Sequence, residues 1–476
     1  MVSYNYKPEE VTAGIVHIGV GNFHRAHQQF YINSLLTHTD QLNWGICGIS
    51  MLPTDKPIVD SLRAQDLQYS LTICGRDGNN EVHKISALKE LISAVEEPAA
   101  VVQKIAEKAI KIITLTITEG GYNLDKTTNE FNLADEKVKQ DIANPSAPQT
   151  VFGFIAEGLR LRRKYNHGGL TILSCDNLQH NGNTAKKAFL TFLAAQDPAL
   201  AAWAETFITF PNSMVDRITP ATTAADITRL NAASGWDDKA PVYCEDFHQW
   251  VIEDNFAAGR PALERVGVQF TNDVTAFENM KLSLLNASHT LLSYPSFLKG
   301  YRKVDEAMQD RSMRTFIRNF MDIDITPYVP APADTDLEVY KQTLIERFAN
   351  HSVSDQVSRL CFDGISKFPV YIIPNLIKML RDGKDLTRMA FLFASYRHYL
   401  VAAKDDLGQQ YSIAEPWLHG DDASILASKD PLDFLQFSPF KSVNLSESAA
   451  FVNLYGYFVI QLQQYGMAKT LQTIVG

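Results

Sequence analysis

The chain has 476 residues, 45% hydrophobic and 21% charged, with a formal net charge of −10 at pH 7. That length accommodates two domains with a substantial core, and the acidic balance argues against nucleic acid and against a polybasic membrane contact, leaving small molecules as the expected partners. Five dispersed cysteines in no paired motif indicate neither a disulfide framework nor a cysteine zinc site. No leader-like N-terminus and no apolar run of about 18 residues is found, so a reducing cytoplasmic setting is expected, neither secreted nor membrane-spanning.

Residues 14–21 (GIVHIGVG) form an apolar β-type run closing in Gly-x-Gly. Residues 25–36 read as a helix and residues 44–51 (WGICGISM) as a buried strand. This order opens a doubly wound nucleotide-binding domain. Gly19 permits the tight turn and Gly21 lets a pyrophosphate approach the backbone. His24 stands where the general fingerprint has its third glycine, so the motif is incomplete. Asp55 is the nearest acid after the second strand; there it would bind the adenosine ribose hydroxyls and favour NAD, with NADP still admitted, and otherwise it is a turn residue between Pro53 and Pro57.

Further β-type runs are expected at residues 110–118, 170–175 and 207–210, separated by helices at 99–108, 152–165 and 184–195. Strands alternating with helices predict a largely parallel sheet. The polar stretch 123–149 is expected to wrap the outside. Beyond residue 275 the pattern turns helical, at 341–349, 371–381, 386–403 and 454–475, with a proline-rich connection at 328–334. The expectation is a Rossmann-type dinucleotide-binding domain over 1–275 and a mainly α-helical, substrate-binding and catalytic domain over 276–476.

Residues 275–294 (TAFENMKLSLLNASHTLLSY) read as one helix, with Thr275 and Glu278 as a capping box and Pro295 as the stop. At about 100° per residue, Asn286 lies about 140° and His289 about 80° from Lys281, so the three share a sector. A hydride-transfer site needs a proton acceptor and donors for the developing alkoxide. Lys281 suits the first role if burial lowers its pKa, and Asn286 the second. The bland alternatives are a capping glutamate, a solvated lysine and a satisfied core histidine.

Two more clusters carry candidates. Asn177, in SCDNLQHNG after a strand end, can supply a second oxyanion donor. Asp216 and Arg217, in NSMVDRITP, are adjacent charges in an apolar setting, equally readable as a structural ion pair. Arg359 and Lys367 in RLCFDGISKFP can reach a ligand, although isolated basic residues are usually surface ones.

The motifs GVGNFHRAHQ (19–28), SCDN (174–177), NSMVDRITP (212–220), EDFHQWVIED (245–254) and Lys281-x4-Asn286-x2-His289 together resemble the polyol-specific long-chain dehydrogenase/reductase family, which spans mannitol 2-dehydrogenase, arabinitol dehydrogenase and the hexuronate reductases. The resemblance implies a Rossmann-type domain followed by a helical one. It implies NAD held by Gly19, Gly21, Asn22, Phe23, His24 and Arg25, with His24 part of the family's own fingerprint. It also implies metal-independent hydride transfer with Lys281 as base, Asn177 and Asn286 as oxyanion hole, His289 positioning the substrate and Glu278 relaying protons. Asp216, Arg359 and Lys367 would bind substrate. The implied reaction is D-mannitol to D-fructose; the alternative is a hexuronate reductase (D-fructuronate to D-mannonate, or tagaturonate to altronate). Membership is compatible with a monomer.

Two rivals remain on sequence grounds. Tyr122 and Lys126 match the Tyr-x-x-x-Lys of short-chain dehydrogenases, but glycines precede and Thr127, Thr128 and Asn129 follow, which disfavours a helix there. A non-catalytic NAD-sensing protein would not need Lys281, Asn286 and Asn177.

Overall fold

Residues 13–18 are buried at every position, as a strand covered on both faces must be. In the computed structural model, which describes every residue except 126, 127, 129, 334, 419 and 476, the chain forms two units, Met1–Thr275 and Ala276–Gly476. The first contains strands β1 (Ala13–Ile18), β2 (Gly45–Ser50), β3 (Tyr69–Cys74), β4 (Asn80–Ile85), β5 (Leu88–Ser93), β6 (Ile112–Leu115), β7 (Thr171–Ser174), β8 (Ser213–Asp216), β9 (Val242–Glu245), β10 (Gln249–Glu253) and β11 (Gln269–Thr271).

Five of these form an all-parallel sheet in the order β5-β2-β1-β6-β7. Val16, Ile18, Cys47 and Ile113 join one apolar cluster with Val101, Ile105, Phe152 and Ile155 from helices Pro98–Ala106 and Val151–Tyr165. Ile15, Ile46 and Ile112 join another with Tyr31, Leu35 and Leu62. The strand order reverses between β1 and β6, and such a switch point is where open α/β sheets leave a crevice at the strands' carboxyl ends. Two three-stranded sheets, β11-β10-β8 and β4-β3-β9, complete the unit among the described residues.

Several expectations shift. The helix after Gly21 starts earlier and is broken: Asn22–Ala26 and Gln28–Leu35 meet at His27. The strand expected at 207–210 does not form. Asp197 accepts from the Ala199 and Leu200 amides and Pro198 occupies the first turn, so a helix runs Pro198–Phe207, and Thr209 contributes only a bridge to Thr171. Tyr122 ends a 3₁₀ turn, Glu119–Tyr122, and is fully buried, which removes it as a helical catalytic tyrosine; Lys126 lies outside the described residues.

The second unit is helical. The helix that leads into it starts at Thr275, the last residue of the first unit, and runs through Pro295 to Leu298 in three parts: α-helix Thr275–Met280, a π turn Lys281–Asn286, and α-helix Ala287–Leu298. Pro295 removes one hydrogen bond, yet Tyr294, Phe297 and Leu298 are buried in the core cluster and hold the last turn. The helix stops at Gly300, whose φ of +101° leaves the helical region. Asp273 rather than Thr275 caps its start, accepting from the Thr275 amide at 2.8 Å. Helices Leu337–Phe348, Ile373–Arg381, Thr387–Ala402 and Ala449–Val475 lie near the expected segments, the last kinked at Gly466. Asp334 of the proline-rich connection is outside the described residues.

Arg388 and Asp324 form a buried pair, Nε and Nη2 donating at 2.5 and 2.7 Å with side chains 7% and 2% exposed. Removing one partner of such a pair strands the other charge at a cost of about 3–5 kcal/mol. Asp324→Ala should therefore lower the unfolding free energy of the second unit by about 3 kcal/mol or more in equilibrium urea denaturation; a loss under about 1 kcal/mol, the range of an exposed pair, would refute the assignment.

Candidate active site

In the first unit the carboxyl ends of β1, β6 and β7 are tied together. Gly19 has φ +101°, and a Cβ there would lie 2.1 Å from the Thr116 carbonyl oxygen, so only glycine fits. Gly21 is different: its φ is ordinary, and an added Cβ would meet nothing within 4 Å. Its backbone borders open space.

His24 replaces a third glycine by stacking. Its ring lies on that of His17, centroids 3.2 Å apart and planes 6° from parallel. His17 is held by Thr114 Oγ1 at 2.7 Å through Nδ1, and by the Gly19 carbonyl and Thr116 Oγ1, both at 2.9 Å, through Nε2. Burial pushes the His17 pKa down to about 3 and that of His24 well below the usual value, so both rings are neutral at pH 7. Two neutral flat rings give the close helix–strand packing that a glycine normally allows.

Arg25 is also buried, donating to the Ala240 carbonyl and to Asn22 Oδ1 at 2.5 and 2.6 Å, while Asn22 Nδ2 reaches Thr222 Oγ1. Its guanidinium thus braces Asn22. Phe23 stacks on His27 at 5.0 Å. Asp55 is half-buried, and its Oδ2 accepts from Ser50 Oγ at 3.0 Å and from the Leu52 amide at 3.2 Å. The chain folds back after Pro53, so this carboxylate returns to the end of β2 despite its late position.

Asn177 follows β7, half-buried. Its neighbour Asp176 is buried and accepts from the Ile117 and Thr118 amides at 3.1 and 2.8 Å and from Tyr122 OH at 2.8 Å. Burial raises the Asp176 pKa to about 6, against these three donors, which pull it down. Thr118 takes φ +63°, a strained value for threonine that the Asp176 carboxylate holds in place. Asn181 bonds the Ser174, Asp176 and Ser213 carbonyls and the Ser213 amide, fixing the loop's return. Asp216 is buried at the end of β8. Arg217 donates to the Glu245 and Ala26 carbonyls and lies over the Phe30 ring at 4.8 Å. Nε and Nη1 are thus taken by backbone carbonyls, while Nη2 is buried with no hydrogen-bond partner among the described residues.

In the second unit, Glu278 and Lys281 are buried at 3% and 8% exposure, and Asn286 and His289 are half-buried. The π turn alters their geometry. The Ala287 amide donates to the Leu282 carbonyl, five residues back, so Lys281 and Asn286 lie about one wide turn apart rather than the 140° expected of an α-helix. Glu278 is no exposed capping acid. Asn286 Oδ1 is buried with no partner among the described residues. His289 packs on Phe348 at 4.4 Å and lies in the field of Asp355.

Arg359 donates through Nε to Asp355 Oδ1 at 2.9 Å and through Nη2 to Oδ2. Lys367 Nζ donates to the Leu360 and Arg359 carbonyls at 3.0 and 3.4 Å. Burial, then the positive charge of Arg359, lowers the Lys367 pKa to about 8. The helical turn Gly364–Lys367 is pinned by Glu415, which accepts from the Gly364 and Ile365 amides at 2.8 and 3.3 Å and from Tyr396 OH at 2.8 Å. A Cβ at Gly364 would lie 2.3 Å from Tyr294 OH. Asp355 was legible in the sequence as the i, i+4 partner of Arg359; Glu415, 51 residues from Gly364, left no local signal.

Among the described residues no three His, Cys, Asp or Glu side chains gather to hold a metal ion, no helix is long and apolar enough to cross a membrane, and all five cysteines are buried free thiols.

Residues 13–265 match the mannitol dehydrogenase Rossmann domain and residues 273–460 the mannitol dehydrogenase C-terminal domain. A polyol:NADP oxidoreductase of Gluconobacter oxydans is 44% identical over 430 residues, 90% of this chain and 88% of that one. A mannitol 2-dehydrogenase of Aspergillus fumigatus is 36% identical over 467 residues, 97% and 93% of the two chains. The solved mannitol 2-dehydrogenase of Pseudomonas fluorescens, a ternary complex with NAD and D-mannitol, has a TM-score of 0.91 at 39% identity, covering 99% of this chain and 96% of that one.

The low Lys367 pKa has a direct chemical readout. Competitive acylation of the folded protein across pH, read by mass spectrometry, should give Lys367 half-maximal reactivity near pH 8, well below the ordinary lysines. A midpoint above about pH 10, the unperturbed range, would show that its surroundings do not favour the neutral amine.

Proposed function

The chain belongs to the mannitol dehydrogenase family, and from that premise we propose that it is an NAD-dependent oxidoreductase interconverting a polyol and a ketose, with D-mannitol and D-fructose as the pair. The observation that carries the reading is its likeness, over nearly the whole chain, to an enzyme solved with NAD and D-mannitol. The dinucleotide fits the residues at hand. Gly21 offers its backbone to open space, Gly19 makes the turn, and the Asn22–Ala26 turn is braced through Arg25. Asp55, with one oxygen already anchored at the end of β2, has the other for the ribose hydroxyls and would repel a 2′-phosphate, which favours NAD even though one relative is named for NADP.

When bound, the nicotinamide accepts or returns a hydride. The remaining work falls to this chain. Lys281 takes the hydroxyl proton of the polyol, or returns one to the ketose, from a buried position that weakens competition from water. Asn286, about one wide turn away, donates an amide N–H to the reacting oxygen as it gains negative charge, and Asn177 is assigned the same role. Glu278, one turn before Lys281, passes the proton on. His289, Arg359 and Lys367 hold hydroxyls further along the substrate, and Asp216 is assigned to the substrate side. No step calls for a metal ion.

Initial rates with NADH or NADPH and fructose, fructuronate, tagaturonate or xylulose in turn test the reading. Fructose with NADH should give the highest kcat/KM; a uronate better by about tenfold, some 1.4 kcal/mol in transition-state binding, would overturn the substrate assignment. Lys281→Ala should lose turnover by about 10²-fold or more with NADH affinity unchanged, whereas Lys367→Ala should act mainly on the ketose KM. Near-normal turnover of Lys281→Ala at neutral pH would remove it as the base.

A further inference from the structure

We propose that Asp355 is a specificity residue: by occupying the Arg359 guanidinium, it leaves the site able to hold neutral sugars and unwelcoming to sugar acids. This rests on the reading of Arg359 and Lys367 as substrate ligands.

The pair is built to last. Asp355 is 6% exposed, whereas the Arg359 side chain is 48% exposed. The carboxylate is therefore fixed in the wall, while about half of the Arg359 side-chain surface stays accessible. Asp355 does not owe its position to Arg359, because its loop is held independently. The Val304 amide donates to the Asp355 carbonyl at 2.9 Å, the Gln356 amide to Asp355 Oδ1 at 2.8 Å, and Lys303 Nζ to the Ser354 carbonyl at 3.1 Å. Ser354 accepts φ +47° to make the turn, a conformation that costs a non-glycine residue and persists only where surroundings impose it.

The chemistry follows from counting donors and charge. A guanidinium has five N–H donors. Asp355 takes one from Nε and one from Nη2, leaving two on Nη1 and one on Nη2 for substrate oxygens, so what Asp355 removes is charge rather than donors. It cancels the charge that a substrate carboxylate would seek, and it sets a buried negative group beside that carboxylate. The nearby groups do not reverse the balance. Lys367 is the other cation, with Cys361, Asp363 and Glu415 also acting on it, and it is already shared with two carbonyls. His289 adds a ring that Asp355 also faces. A polyol loses nothing by this arrangement, whereas a sugar acid meets one answered cation, one cation already shared with two carbonyls and one anion. Discrimination is then a difference of affinities created by repulsion as much as by attraction.

The test uses the full chain saturated with NADH, where D-mannitol and D-mannonate form dead-end complexes and their dissociation constants can be titrated side by side. Asp355→Asn keeps the shape and one acceptor but removes the charge, and should shift the mannonate-to-mannitol affinity ratio towards mannonate by about tenfold or more; Asp355→Glu, which keeps the charge, should not. An unchanged ratio in an Asn variant that still binds mannitol overturns the inference and leaves the substrate reading intact. If instead Arg359→Ala leaves mannitol affinity unaltered, the substrate reading itself fails and the inference with it. Should Asp355→Asn not fold, the wild-type protein decides at about pH 9, above the Lys367 midpoint. Mannonate affinity that holds or rises from about 0.05 to 0.5 M salt supports a neutral or repulsive field, and a fall of about tenfold over that range marks an open cationic ligand and overturns the proposal.

Discussion

One wide turn of helix, Lys281–Asn286, governs what the longest chemical motif of this chain can do. In a continuous α-helix, Lys281 and Asn286 would point about 140° apart, at the two edges of one broad sector. With one extra residue in the turn they point nearly the same way, one above the other. The irregularity survives because the residues around it are anchored: Met280, Leu284, Leu285, Ala287 and Leu291 are all buried in the second unit's core cluster. Packing on one side of the helix therefore holds a strained hydrogen-bond pattern on the other.

The first unit solves a similar problem with different means. A Gly-x-Gly turn must sit close to its neighbouring strand, and the usual third glycine exists to let helix and strand approach. Here a stacked, neutral His17–His24 pair fills that interface, and His17 returns two contacts to the turn, at Gly19 and Thr116. The same loop continues to Ile117 and Thr118, whose amides Asp176 collects. The turn after β1 and the Asn177 loop after β7 are thus parts of one hydrogen-bonded assembly running across the carboxyl edge of the sheet. A change at Asp176 would reach Gly19 through Thr116 without touching it.

Much of this was legible because the motifs are local. The β1 run, its glycines and the second strand are written in short apolar segments, and the fold class followed from their order. What escaped reading was whatever depends on distant partners or on helix phase. Of the strand assigned to residues 207–210, Phe207 went to a proline-started, aspartate-capped helix whose signals, Asp197 and Pro198, were in plain view, and Thr209 keeps only a bridge to Thr171. Strand β9 is only four residues long and pairs with β3 across a long separation, Leu71 with Val242, while β4, of mixed polarity, pairs with β3 as a local hairpin. The π turn has no local signature, since Lys-Leu-Ser-Leu-Leu-Asn is as good an α-helix, and Pro295 misled because core burial outweighs one missing hydrogen bond.

Distance in sequence also hides how the basic residues of the second unit are set. Arg359 and Lys367 look like two similar cations eight residues apart, but the chain treats them oppositely. Arg359 is given a fixed anion, Asp355, within hydrogen-bond reach. Lys367 is given carbonyls, a cationic neighbour and a burial that depresses its charge. A site meant for a carboxylate would gain by leaving both cations unopposed, since charge-assisted, bidentate contacts are the strongest available. Here one charge is answered and the other weakened, at the expense of a strained Ser354 and a glutamate, Glu415, brought from a remote loop to hold the Lys367 turn. The arrangement offsets one charge with Asp355 while keeping N–H donors at Arg359 and Lys367, the pattern that the proposed recognition of neutral hydroxyl groups calls for.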